Sequence, residues 1–268
     1  MGTLEILEVL VRRLDGPHLS ELKVIPWAAP ILSFGNLYQA RVATLGLNPS
    51  NREFVDVAGT ELNGHHRRFH SLSSLGLTRW SDAKLEHLKK IQDSCDQYFA
   101  GNPYDGWFQA LNKLIVRANA SYYGIFADAC HLDLVPYATH CKWVELSTSQ
   151  RSALIKNSGD ALGLLLRESA VEVLIVNGQS VIEHLQTVTG CTFVREAIPE
   201  WTLPRREGDG VRGYAYTGKI CQISGIGLGR EILVLGYSHN IQSSFGVTTK
   251  VKESIQQWIG HCTGEVYC

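Results

Sequence analysis

Four short apolar runs rich in β-branched residues, at 41–46, 129–135, 171–176 and 231–236, are separated by stretches of helical periodicity. Strands joined through helices run parallel, and a parallel sheet must be covered on both faces. That alternation predicts an α/β class, a three-layer α/β/α arrangement around a central, mainly parallel four-stranded sheet. No internal repeat or long linker interrupts it, so residues 1–268 are read as one domain.

The helices between the strands have recognisable ends. Apolar residues recur at helical spacing over 4–11 and stop before Gly16 and Pro17. Periodic stretches come next at 80–99 and 107–120, parted by Gly101, Asn102 and Pro103. Ser147 and Thr148 can cap a helix running to about residue 167, a short helix is expected over 180–185, and a closing one over about 248–260. Residues 190–230 are rich in glycine and lack helical period, so they read as a β-rich excursion from the main sheet.

Composition narrows the function classes. With 25 Lys and Arg against 26 Asp and Glu, the net charge of −1 excludes a histone-like or polybasic binder. The hydrophobic share of 44% against 19% charged residues excludes a disordered chain. No apolar run reaches the roughly 20 residues of a membrane helix, and the first residues do not resemble a secretory signal. A soluble, cytoplasmic and monomeric protein is expected, with no membrane partner and no obligate protein partner. The seven cysteines are odd in number and contain no CxxC pair, which argues against a disulfide framework and a thiolate metal site. Cys130 and His131 with His140 and Cys141 come closest to a metal cluster, but their spacing fits buried thiols better, so no metal or cofactor is expected.

In an open α/β sheet, ligands bind where the strands end at their carboxyl side. Three such ends carry unusual polar residues: Asn48 after the first run, Asp133 near the end of the second, and His239 after the fourth. Although far apart in sequence, the three could meet in one crevice.

Those positions also carry a resemblance. The segment Gly46-Leu47-Asn48-Pro49-Ser50 resembles the first motif of the uracil-DNA glycosylase superfamily, a Gly-x-(Asp/Asn)-Pro turn that places a water-positioning side chain over the sugar. Gly64 to Phe69, with Leu72 and Leu75 to Thr78, are similar to the stretch after that motif in the mismatch-specific thymine/uracil glycosylases. Asp133-Leu134-Val135-Pro136 resembles the Asn-Leu-x-Pro strand of the single-strand-selective enzymes, and His239 to Ser244 sits where the family has its His-Pro-Ser-Pro-type loop. With the strand at 173–178, these anchors occur in family order over most of residues 41–260.

The resemblance implies a glycosylase that removes uracil, or another deaminated base, from DNA and leaves an abasic site. Under it, Asn48 orients the attacking water and His239 donates to O2 of the departing base. Asp133 either reads the base or stabilises the sugar cation and activates water. A flipped base needs a wedge, for which Ile241 and Phe245 are candidates, and a stacking partner, for which Phe54 or Phe69 is. Ser50, Ser243 and Ser244 suit phosphate contacts, and Asn240 replaces the loop proline. Two basic patches could meet DNA: His65, His66, Arg67, Arg68 and His70, and Arg205, Arg206, Arg212 and Lys219.

Asp133 stands where relatives have an amide that both accepts from uracil N3–H and donates to O4. A carboxylate accepts but cannot donate. Either Asp133 is protonated, or another group reads O4, or the preferred base offers a donor there. Two other functions remain open: a DNA-binding protein with this fold and no chemistry, and a hydrolase of free nucleosides.

Overall fold

The computed structural model describes residues 2–124, 127–205, 208–242 and 245–264. The helices are α1 (Thr3–Leu14), α2 (Pro17–Glu21), α3 (Leu72–Leu75), α4 (Leu85–Asp96), α5 (Asp105–Ile115), α6 (Thr148–Glu168), α7 (Gln179–Thr189) and α8 (Thr249–Gly264). The strands are β1 (Val42–Gly46), β2 (Ala129–Asp133), β3 (Val173–Asn177), β4 (Val194–Leu203), β5 (Val211–Ile223) and β6 (Ile226–Tyr237). Ser147 caps α6 as its residue type suggests: its Oγ accepts from Gln150 N, and Gln150 Oε1 accepts from Ser147 N.

The sheet has six strands, not four, in the order β2-β1-β3-β6-β5-β4. Strands β2, β1, β3 and β6 are parallel and correspond to the four apolar runs. The glycine-rich region is no excursion: β5 and β4 extend the same sheet antiparallel to β6. The cause is a two-residue turn, Ser224-Gly225, in which both residues have positive φ, 47° and 80°. Such a turn matches the twist of a hairpin, so β6 begins at Ile226, well before its apolar stretch. Edge strand β4 carries Pro199, which cannot donate to a further strand.

Helices cover both sides. Directly paired residues share a face, so Thr44, Ile175 and Leu235 point one way and Leu45, Val176 and Gly236 the other. A Cβ on Gly236 would meet Ile182 of α7, and Gly159 of α6 lies near Val188, which sets α7 and α6, with α1 beside them, on one face. Helices α5 and α8 pack together on the opposite face. Here the rings of Phe34, Phe69, Tyr98, Phe99, Phe108 and Tyr122 form an aromatic layer over His131. Among the described residues no helix is long and apolar enough to cross a membrane.

From β1 the chain moves to β2 on one side, and from β3 to β6 on the other. The direction of winding therefore reverses between β1 and β3, and a crevice opens there beyond their carboxyl ends.

Candidate active site at the carboxyl ends of the parallel strands

Two motif segments lie side by side at the crevice. Leu134 N donates to Gly46 O, and Val135 N donates to Leu47 O, so the turn after β1 and the segment after β2 are stitched together. Asn48, partly buried, directs its side-chain amide into this seam, donating to Thr139 Oγ1 at 3.0 Å and Pro49 O at 3.2 Å. Thr139 in turn donates to Cys141 O. With its nitrogen so held, Asn48 keeps its amide oxygen for another donor.

Asp133 is in register with Gly46 across the β1–β2 pair. A Cβ at position 46 would stand 2.4 Å from Asp133 Oδ1 and 3.0 Å from His131 Nε2, so the carboxyl occupies the space that glycine leaves. The Asp133 side chain is only 5% exposed. His131 Nε2 lies 3.5 Å from its Oδ1, and His131 Nδ1 lies 2.7 Å from Thr44 Oγ1. Thr44 also shares a hydrogen bond with the buried Tyr122 phenol. A line of polar groups thus runs from the crevice into the aromatic layer.

A second carboxyl enters here that composition does not reveal. Ser50 Oγ accepts from Arg52 N and caps the single 3-10 turn Asn51–Glu53, which folds Glu53 inward. Glu53 is 3% exposed, accepts from the Tyr98 hydroxyl at 2.9 Å, and has Arg68 Nε 3.9 Å from the same oxygen. Burial pushes its carboxyl up to about 7, the Asp133 charge adding in the same direction, against opposing effects from Tyr98 and Arg68. Arg68 is spent on structure, donating to Asn102 O and Arg52 O.

The other wall comes from β3 and β6. Gly178 N and Gln179 N donate to Tyr237 O and Ser238 O, joining the two strand ends. Asn177 donates to Gln242 Oε1 at 2.6 Å and accepts from Ile241 N. Two buried donors nearby lack any partner among the described residues: the Tyr237 hydroxyl and Gln242 Nε2. Unpaired buried donors are costly, which makes them fit for an arriving acceptor.

His239 departs from its expected role. It is 5% exposed, and its Nε2 lies 2.7 Å from Trp201 O on β4, so it turns toward the β5–β4 side of the sheet and away from Asn48 and Asp133. A carbonyl only accepts, so Nε2 carries the proton. Desolvation lowers the pKa of this imidazole, favouring the neutral form, in which Nδ1 is an acceptor. As it stands, His239 does not offer a hydrogen to a departing base. The structure brings Asn48 and Asp133 together and leaves His239 at β6, two strands from β1.

The remaining candidates divide clearly. Ile241 is buried at 4%, so it is a core residue and not a wedge, whereas Phe245 is 82% exposed. The Arg205 guanidinium lies 5.5 Å from the Phe245 ring and donates to its carbonyl. Phe54 and Phe69 are buried in the aromatic layer, their rings 6.0 Å apart, with Phe69 stacked on Tyr98. Neither ring is free in this arrangement to stack on a base. Asn240 accepts from Gln242 N. Ser50 is committed to its cap, while Ser243, Ser244 and Arg206 lie outside the described residues. Arg67, Arg68, His70 and Lys90 line a cleft of about 340 Å³ next to Tyr98. Among the described residues no group of three or more His, Cys, Asp or Glu is placed to hold a metal ion.

Sequence reasoning misses Glu53 and Asn177, and it names His131 only within a metal cluster and Gln242 only as part of the His239–Ser244 loop. Glu53 had one available signal, its position five residues past Asn48 in the same turn. The chain matches no known protein family and no curated protein sequence.

Proposed function

We propose that the protein hydrolyses the N-glycosidic bond of uracil or a related deaminated base in DNA. The observation that carries this reading is the seam in which the Gly46–Ser50 turn and the Asp133–Pro136 segment are hydrogen bonded side by side at the crevice. These are two of the segments on which the glycosylase resemblance rests. Adjacent strands lie about 5 Å apart, so the span from β1 to β6 is about 10 Å, wide enough for a nucleobase.

Bond cleavage builds positive charge on the sugar and negative charge on the base. Asn48, its nitrogen fixed by Thr139, would accept from the attacking water and hold it in line, contributing position more than proton transfer. The Asp133 carboxyl would oppose the sugar cation or read the base. On the β3–β6 wall, the unpaired Tyr237 hydroxyl and Gln242 amide are donors for base or phosphate oxygens. Phe245 beside Arg205 would fill the gap left in a duplex, with the cation near a phosphate.

One observation favours a second reading. Because His239 spends its N–H on Trp201, a chain that keeps this arrangement would bind damaged DNA without releasing the base. Excision from oligonucleotides carrying one uracil, single-stranded and opposite G or A, separates the two. Strand breaks after alkali that vanish in Asn48→Ala and Asp133→Ala support hydrolysis; intact strands with retained, uracil-dependent binding would move the function to recognition.

A further inference from the structure

Two buried carboxyls at the crevice each keep an oxygen that the described residues leave without a hydrogen bond. On Glu53, both Tyr98 and Arg68 approach Oε2, and Oε1 has no partner. On Asp133, His131 Nε2 lies 3.5 Å from Oδ1, and among the described residues no hydrogen bond is found to this side chain, which is only 5% exposed. Neither oxygen is among the fully buried unpaired atoms, so each keeps a little contact with solvent, through which a ligand can reach it.

They also belong to one place. The Tyr98 ring that holds Glu53 packs 4.9 Å from Phe34. Phe34 exchanges both backbone hydrogen bonds with His131, which borders Asp133. The Asp133 charge is felt at Glu53 directly. Burial, with the Asp133 charge adding in the same direction, favours the protonated form of Glu53. The Tyr98 hydroxyl accepts from Tyr104 N and therefore donates to Glu53 Oε2, which leaves Oε1 as the oxygen that carries the proton.

We propose that Asp133 and Glu53 together read the edge of the bound base, Asp133 accepting from a ring N–H and Glu53 donating from Oε1 to the adjacent ring carbonyl. This inference rests on the glycosylase reading and deepens it. The substrate class is then the lactam bases, such as uracil and hypoxanthine, which offer N–H beside C=O. Cytosine and adenine present a bare ring nitrogen beside an amino group, so an acceptor would face the Asp133 carboxylate. Glu53 supplies the donor that an aspartate in place of an amide lacks.

The groups facing Glu53 are Tyr98, Arg68 and Asp133, with His131 behind Asp133. Only loss of the Glu53 proton removes the donor. Binding of single-stranded oligonucleotides carrying one uracil, hypoxanthine, cytosine or adenine is measured by fluorescence anisotropy at about pH 6 and about pH 8.5, with single-turnover excision alongside. For the lactam bases the parent should lose about thirtyfold in base-dependent affinity between these pH values, the fall in protonated fraction of a group titrating near 7. In Glu53→Gln the amide keeps its oxygen on Tyr98 and presents N–H where the acid proton was, so the loss should shrink to about threefold or less. Asp133→Asn, able both to accept and to donate, should also flatten the profile. Melting curves establish that each variant is folded.

A parent that favours cytosine or adenine, or binds all four bases alike, overturns the pair. So does a pH profile that Glu53→Gln leaves unchanged. Lactam-selective binding with the expected profile and no excision keeps the reading pair and overturns hydrolysis alone.

Discussion

Asn48 and Thr139 are joined by a 3.0 Å hydrogen bond from the amide nitrogen to the hydroxyl, and Thr139 passes its own hydrogen to Cys141 O. The turn after β1 is thereby oriented by a residue beyond β2. Thr139 is almost fully buried, so the contact is sheltered from competing water. Thr139→Val keeps the shape and removes the shortest of the three hydrogen bonds that hold the Asn48 amide, leaving the longer ones to Pro49 O and Tyr137 O. Under the proposed hydrolysis, single-turnover excision should fall about tenfold with substrate affinity nearly unchanged, a loss of roughly 1.4 kcal/mol in transition-state stabilisation. Equal losses in rate and affinity would place Thr139 in binding instead.

Phe245 is 82% exposed, with its ring beside the Arg205 guanidinium. In the proposed wedge role it is needed only where a stack must be held open. Phe245→Ala should therefore leave the melting temperature unchanged and lower excision from duplex DNA several times more than from single strands. Parallel loss on both substrates would assign the ring to general DNA contact.

Gly46 is required by its neighbours and not by its backbone, since its φ is not in the left-handed region. In Gly46→Ala the new methyl competes with Asp133 Oδ1 and His131 Nε2, and the carboxyl must move. Overpacking of this kind costs about 1 to 3 kcal/mol. Base-dependent binding should fall by at least about tenfold, measured by anisotropy, while Gly227→Ala, at an open position, serves as a control for general destabilisation.

Much of this architecture is legible in the chain because burial and periodicity are local signals. Strands β1, β2 and β3 are almost wholly buried, as are the last four residues of β6, and the Ser147 cap announces α6. Strand β4 escapes the same reading because most of its residues are exposed and its Pro199 argues against a strand interior. Glu53 is hidden for a different reason: Asn51-Arg52-Glu53 is polar, and what buries it, Tyr98 and Arg68, comes from distant parts of the chain. The position of His239 is legible, but its direction is fixed by Trp201 on β4, which the sequence places only within a β-rich region apart from the main sheet.

The Tyr237 hydroxyl is buried and has no hydrogen-bond partner among the described residues, and desolvation raises its pKa. A donor kept dry without an acceptor costs about 1 to 3 kcal/mol. Tyr237→Phe should accordingly melt at the same temperature or higher, by differential scanning calorimetry, while binding uracil-containing DNA less well. A clear fall in melting temperature would show that a bound water or unseen partner already satisfies the hydroxyl.

Glu53 also sets how stability responds to pH. Its carboxyl titrates near the ordinary 4.5 when unfolded and at about 7 when folded, so the native state holds the proton more tightly. For a raised carboxyl the contribution is complete below about 4.5 and is lost as pH climbs through about 7. Over that window the loss amounts to about 3 kcal/mol. Asp96, raised to about 6, acts in the same direction, and His70, lowered to about 4, acts in the opposite one. Both remain in Glu53→Gln, so the difference between parent and variant isolates Glu53. Urea unfolding midpoints at about pH 5 and about pH 8 should draw apart in the parent and much less in the variant. Equal shifts in the two proteins would mean that Glu53 is already ionised in the folded state at neutral pH.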